Sequence, residues 1–251
     1  MVFTYGVLSF GCTTVDSIME AMKLLDFTFQ APEQNLACDE ALLGLAEETP
    51  GWEALRLWSP RQPFVVLGYS NQAEREVRLE ACRRLRIPVL RRCTGGGTVL
   101  QGPGCMNFSL ILNLRRSPAL KTIAGTNAYI LDRHRQVVES LLGQPVQIRG
   151  STDLTLGTLK FSGNAQRRKK AALLYHGTFL LRLNLRLMEQ VLPLPSRQPD
   201  YRNGRSHRGF LTCLPVEAQA LRKALVRLWE ATEPFGTALF YNIFRRLRQE
   251  A

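Results

Sequence analysis

The sequence predicts one large domain in which strands and helices are interleaved, and three observations carry that expectation. Some windows alternate with period two: Met106, Phe108, Leu110, Leu112 and Leu114, with mostly polar neighbours, read as a half-buried strand. Others follow helical spacing: between Asn35 and Glu48, residues Ala37, Cys38, Ala41, Leu42 and Leu45 fall on one arc, with Asp39, Glu40, Glu47 and Glu48 elsewhere. Finally, 251 residues, 45% of them hydrophobic and 22% charged, can bury a full core, and no apolar run is long enough to span a bilayer.

In chain order, residues 1–21 read as an N-terminal extension without a signal peptide, and 22–251 as the domain. Lys23 to Phe29 is a first strand, followed by the helix over 35–48. Ala54–Trp58 and Phe64–Tyr69 are two strands joined by the Ser59-Pro60-Arg61-Gln62-Pro63 turn. A helix over Ala73–Leu85 carries its acids early and its arginines late, the order its dipole favours. Ile87–Leu90 is a short buried strand before a glycine loop, and the alternating strand to Leu114 follows it. The pattern predicts a long helix over Ala119–Leu142, stopped by Gly143, with His134 on its apolar face as a core histidine. Gln144 to Leu183 reads as short strands broken at Gly150, Gly157, Gly163 and Gly177. A helix over Leu185–Val191 precedes a mobile basic loop, Pro195–Arg208. Pro215 opens a helix that buries Leu221, Leu225 and Leu228, and Leu239, Ile243 and Leu247 form a last apolar stripe.

A formal net charge of +12 favours partners with phosphate or acidic surfaces. Nucleic acid is the poorer fit, because the runs Arg167-Arg168-Lys169-Lys170 and Arg245-Arg246 with Arg248 lack stacking aromatics in a recognised motif. The six cysteines contain no C-x-x-C pair and no zinc spacing with the three histidines, so reduced thiols in the cytoplasm are expected.

The stretch richest in chemistry is Arg91-Arg92-Cys93-Thr94-Gly95-Gly96-Gly97-Thr98-Val99. Three residues without Cβ let the backbone approach a ligand and turn its N–H groups into a nest for an anion, with the two arginines at its edge. The same residues also make a tight hairpin turn with a solvated arginine pair, and the glycines alone leave both open. Further on, Lys160 sits in an alternating strand before Ser162-Gly163-Asn164, and His176 precedes Gly177-Thr178. Taken singly, the lysine reads as surface charge and the histidine as a structural hydrogen-bonder.

Together, R-R-x-[ST]-G-G-G-x-V, then K-x-S-G-x-A, then H-G-T-x-L-L, in this order, resemble the lipoate-protein ligase family, in the superfamily of biotin-protein ligases and octanoyltransferases. Asn35-Leu36-Ala37-Cys38-Asp39-Glu40-Ala41-Leu42, Leu55–Trp58 and Val65–Gln72 extend the similarity upstream, so that it covers about residues 22 to 185. The resemblance implies an α+β fold, a mixed, largely antiparallel sheet flanked by helices, as in class II synthetase and biotin-protein ligase catalytic domains. It implies a two-step reaction: lipoate and ATP give lipoyl-adenylate and pyrophosphate, and a lysine of a carrier domain then takes the acyl group. By the same resemblance, Lys160 is the catalytic ammonium. Asn71, Arg92, Thr94, Gly95, Gly96, Gly97, Val99, Asn107, Ser162, Gly163, Ala165, His176, Gly177 and Thr178 bind the substrates, and Asp153 helps hold Mg²⁺ on the phosphates. The implied partners are a lipoyl carrier (a glycine cleavage H-like protein, a dehydrogenase E2 lipoyl domain or a dedicated lipoate-binding protein) and, because Thr212 to Ala251 is too short for the larger ligases' accessory domain, a separate accessory subunit.

Departures from the pattern matter. Gln101-Gly102 stands where the family often has His-Asp, Gly104-Cys105 where it has Gly-Asn, and Tyr175-His176 where it often has His-His. The rival reading is an octanoyltransferase, which passes an acyl chain between carriers through a cysteine thioester without ATP. Such enzymes place the cysteine just before the lysine segment or near His-Gly, and here none occurs between Cys105 and Cys213. Cys93 and Cys105 are the remaining candidates, if Arg91 and Arg92 lower a thiol's pKa. A biotin-protein ligase lacks support, since its Gly-Arg-Gly-Arg type loop is absent.

Overall fold

A computed structural model describes residues 21–236, together with Ile243 and Arg245. The expected N-terminal extension and most of the last apolar stripe lie outside the described residues. In chain order the elements are β1 (Lys23–Asp26), α1 (Pro32–Glu48), β2 (Ala54–Trp58), β3 (Phe64–Leu67), α2 (Ala73–Glu76), α3 (Leu79–Leu85), β4 (Val89–Arg91), β5 (Val99–Gln101), β6 (Cys105–Asn113), α4 (Ile123–Leu142), β7 (Gln147–Arg149), β8 (Asp153–Leu156), β9 (Leu159–Arg168), β10 (Ala172–Leu180), α5 (Leu185–Val191), α6 (His207–Phe210), α7 (Ala218–Trp229) and β11 (Glu233–Pro234). Eight strands form one sheet in the order β11-β1-β2-β6-β10-β9-β8-β7, and β4-β3-β5 form a second. In the large sheet only the β1 pairings are parallel, so the sheet is mixed and largely antiparallel, as expected.

Strand alternation decides what faces what. Leu55, Leu57, Met106, Phe108, Leu110, Leu112, Leu173 and Tyr175 point to one face, where Ile130, Leu131 and Val138 of α4 and Leu221, Leu225 and Trp229 of α7 close the main core. The opposite face takes Ala54, Ile111, Ala172 and Leu174 against Cys38, Leu42, Leu43 and Ala46 of α1. Farther along that face the register sets Ser109 across from His176 and Asn107 across from Thr178, before the buried pair Cys105 and Leu180 closes it. A polar floor therefore opens beyond the end of α1.

Several local expectations are corrected. β2 and β3 are joined by the expected turn but do not pair, because the Pro60/Pro63 turn carries the chain from one sheet to the other. The helix over 73–85 breaks at Val77-Arg78, where the backbone is extended at Val77. Helix α4 starts at Ile123 with Thr122 as its cap, after a separate 3-10 turn at Pro118–Lys121. β9 and β10 run through Gly163 and Gly177 unbroken: a Cβ at Gly177 would sit 1.8 Å from Asn164 Oδ1, and one at Gly163 2.7 Å from Lys160 Nζ. These glycines leave room for side chains. Helix α7 starts three residues after Pro215, and its Leu228 is half-buried rather than buried.

Segment 195–208 is no loose loop. Arg205 donates to the carbonyls of Thr158, Tyr201 and Gly209, Arg202 is buried, and Lys160 and Leu211 form a parallel bridge. These hydrogen bonds, invisible in a segment without periodicity, make it a strap across β8 and β9.

Candidate functional site

The glycine loop crosses over the end of β3 rather than turning a hairpin, since β4 and β5 pair on opposite sides of that strand. The approach is close enough that a Cβ at Gly68 would meet Gly96 O at 2.1 Å. Arg92 ties the loop from inside, while Arg91 ties the turn that follows β3. Arg91 Nη1 donates to the carbonyls of Gly68, Tyr69 and Asn71, while Arg92 Nη2 donates to those of Gly95 and Gly97 at 2.7 and 2.9 Å. With the carbonyls drawn toward the arginine, the N–H groups of Gly95, Gly96 and Gly97 take no acceptor among the described residues. That is the polarity an anion nest needs.

Across from the loop, a bulge between Leu154 and Thr155 sends Phe161 into the core and Lys160 to the opening. Lys160 Nζ lies 2.7 Å from Asp153 Oδ1, and Tyr201 of the strap donates to Asp153 Oδ2 at 2.7 Å. Loop, floor and lysine surround one cavity of about 410 Å³. Of the residues expected at the site, Arg92, Gly96, Gly97, Val99, Asn107, Asp153, Lys160, Gly163, Ala165, His176, Gly177 and Thr178 line it. Leu36, Trp58, Val66, Phe108 and Leu180 give it an apolar side.

Four expected residues are not on the wall. Asn71 donates to Thr98 Oγ1 at 3.0 Å and shapes the loop from outside. Gly95 turns its carbonyl to Arg92. Ser162, 1% exposed, lies opposite Leu154 over the core. Thr94, also 1% exposed, bridges Arg92 and His176.

Asp39 was missed. It falls off the apolar arc of α1, yet it is buried, with Arg56 Nη1 at 2.6 Å, Ser109 Oγ at 2.7 Å and His176 Nδ1 at 3.0 Å. Burial pushes its carboxyl up, but Arg56, His176 and Ser109 together outweigh that and hold it below the usual range. The signal was Arg56 in the middle of an apolar strand, because a buried guanidinium needs a carboxylate. Gln101, which replaces the family's histidine, closes a ring on the floor by donating to Thr178 Oγ1 and accepting from Asn107 Nδ2. Asn164 and the strap residues Arg197, Arg202 and His207 were also missed.

The arginine pair does not lower the pKa of either candidate thiol. Burial, with Glu40 and Asp39 adding, pushes Cys93 up to about 11, and burial pushes Cys105 up to about 12. Arg91 spends its donors on the turn after β3 and Arg92 on the glycine loop and Thr94. None of the described residues lining the cavity is a cysteine.

Magnesium fits this site poorly. Both oxygens of Asp153 are engaged, and no group of three or more His, Cys, Asp or Glu among the described residues could hold a metal ion. A hard cation here would draw its oxygens from phosphates and water. Two residues of the basic run are engaged within the chain: Arg167 pairs with Glu40 and Arg168 donates to Leu120 O. No helix of the described residues is long and apolar enough to cross a membrane.

Residues 31–222 match the family model described as the lipoyl protein ligase A/B catalytic domain. A chain of Aeropyrum pernix, provisionally named a lipoate-protein ligase A, is 31% identical over 238 residues, covering 91% of this chain and 84% of that protein. An octanoyltransferase LipM of Moorella thermoacetica is 32% identical over 200 residues, covering 70% of this chain and 71% of that one. Among solved structures, a bipartite lipoate protein ligase of Thermoplasma acidophilum, studied with its E2 lipoyl domain, has a TM-score of 0.75 at 22% identity and covers 91% and 92% of the two chains. A lipoate-protein ligase A bound with ATP has a TM-score of 0.71 at 23% identity and covers 91% and 94%. The structural likeness shows the fold, and ligases and octanoyltransferases both stand among the sequence relatives. With three quarters of its length matched and the family's motifs gathered round one cavity, the chain belongs to the lipoyl protein ligase A/B catalytic-domain family.

Proposed function

We propose that the chain is an ATP-dependent lipoate-protein ligase. The observation that carries the reading is that Lys160 lines one cavity together with Gly96 and Gly97, whose N–H groups take no acceptor among the described residues, and that the described wall of this cavity holds no cysteine. Transfer through a thioester needs a thiolate, whereas adenylation needs fixed positive charge and N–H donors where negative charge develops. In the first step the lipoate carboxylate attacks the α-phosphorus of ATP and pyrophosphate leaves. The loop amides and the ammonium of Lys160 face the phosphoryl oxygens, and Leu36, Trp58, Val66 and Phe108 take the acyl chain. In the second step a carrier lysine amine attacks the acyl carbonyl and AMP leaves. The solved relatives named for ATP and for an E2 lipoyl domain support this choice of substrate and carrier, and the bipartite one supports an accessory subunit.

The test is intact-mass measurement of an E2 lipoyl domain or glycine cleavage H protein incubated with three donors: lipoate plus ATP, preformed lipoyl-adenylate, and octanoyl-carrier protein without ATP. The lipoyl mass is expected with the adenylate, and with lipoate only when ATP is present. Octanoyl transfer without ATP would establish the octanoyltransferase reading, which the Moorella thermoacetica relative favours.

A further inference from the structure

Thr94 belongs to the glycine-loop signature, yet its hydroxyl is sealed from the cavity. What it touches forms a continuous chain of hydrogen bonds from the core to the loop. Arg56 fixes Asp39 Oδ1 at 2.6 Å, and Asp39 Oδ2 meets His176 Nδ1 at 3.0 Å. His176 Nε2 lies 2.7 Å from Thr94 Oγ1, and Arg92 Nε donates to that same oxygen at 2.9 Å. Beyond it, Arg92 Nη2 reaches the carbonyls of Gly95 and Gly97.

Donors and acceptors fix the direction of every link. Asp39, held as a carboxylate, only accepts, so His176 Nδ1 carries a proton, and in the neutral imidazole Nε2 is then the acceptor. Thr94 has one proton and spends it on Nε2, leaving its oxygen to accept from Arg92. Aspartate, histidine and a hydroxyl in this order have the spacing of a nucleophile triad. That reading fails here, because the Thr94 oxygen lies off the cavity wall and is engaged on both sides. We infer that Thr94 and Asp39 are positioning residues: the relay Asp39–His176–Thr94–Arg92 latches the glycine loop in the shape that turns its N–H groups toward the cavity. The inference rests on the loop being the anion-binding element of the proposed reaction, but the latch itself exists without ligand and is tested that way.

Two measurements on the full-length protein decide it. Trypsin cleavage after Arg92 in the folded protein, followed by mass spectrometry, reports whether the loop is tied down. Steady-state turnover with lipoate, ATP and an E2 lipoyl domain splits KM for ATP from kcat. Thr94→Val keeps the shape and removes both hydrogen bonds, while Thr94→Ser keeps them. Thr94→Val should be nicked about tenfold faster than wild type and should raise KM for ATP about tenfold with kcat changed less, as for loss of one or two modest hydrogen bonds. Thr94→Ser should restore both. Thr94→Ala, which cannot overpack, should follow Thr94→Val. Nicking of the valine and alanine variants at the wild-type rate overturns the latch, and so does a failure of both to fold, which would make Thr94 an ordinary core residue. If wild type transfers the lipoyl group neither from lipoate plus ATP nor from preformed lipoyl-adenylate but the nicking pattern holds, the ligase reading falls and the latch stands.

Discussion

Lys160 and His134 show how one side chain's surroundings set its use. Lys160 keeps a quarter of its side chain exposed, with its ammonium shared between Asp153 and the cavity. Lys160→Ala should leave the thermal midpoint close to wild type and slow pyrophosphate release by about a hundredfold or more, the scale for removing a group that meets developing charge. Cys93→Ser should leave the same assay within about twofold, because a half-buried thiol pushed up to about 11 carries negligible thiolate at neutral pH. His134 is the opposite case: it is buried, accepts from Trp229 Nε1 at 3.0 Å and packs edge-on to Phe108, and burial lowers its pKa from 6.5 to about 3. The unfolded chain takes up this proton near pH 6.5 and the folded one only near 3. The stabilisation is therefore complete above 6.5 and is lost as pH falls, by roughly 1.4 kcal/mol per unit. His134→Gln keeps an acceptor for Trp229 and should remove the larger part of that slope in urea midpoints between about pH 6.5 and 5.

At the scale of elements, the site depends on how closely three of them approach. The glycine loop lies on the end of β3 at Gly68, where an added Cβ would strike a backbone oxygen that no rotamer change can move. Gly68→Ala should lower stability by about 1–3 kcal/mol, the usual cost of overpacking, and displace the loop. Calorimetry should then show ATP affinity falling by more than that of a matched Gly95→Ala variant, whose Cβ meets nothing within 4 Å. The strap is the element least readable in the chain. Prolines, arginines and glycines without periodicity suggested mobility, whereas Arg205 and Tyr201 stitch it to β8 and β9. The glycines at 163 and 177 misled for a related reason, since they spare room for Lys160 and Asn164 rather than end strands.

On the scale of the whole molecule, the net charge of +12 bears on encounter with a carrier more than on folding. If an acidic lipoyl domain is the partner, kcat/KM for the carrier should fall by about tenfold or more between 0.02 and 0.5 M salt while kcat/KM for ATP changes little, which stopped-flow measurements at several salt concentrations can separate. A flat salt dependence would leave the basic surface without that role. Period-two and helical patterns, with the order of three motifs, were enough to specify the sheet-and-helix architecture, the family and a part of the cavity wall that includes Lys160, His176 and the glycine loop. Those signals are local or set by spacing along the chain. Only the folded arrangement decided that Arg92 turns to loop carbonyls, that Thr94 is a buttress, that Asp39 is buried beside Arg56, and that the strap roofs Lys160. Each of these depends on which residues distant in sequence share a low-dielectric interior, where an unpaired charge or donor is too costly to leave, and no pattern of neighbours along the chain encodes that pairing.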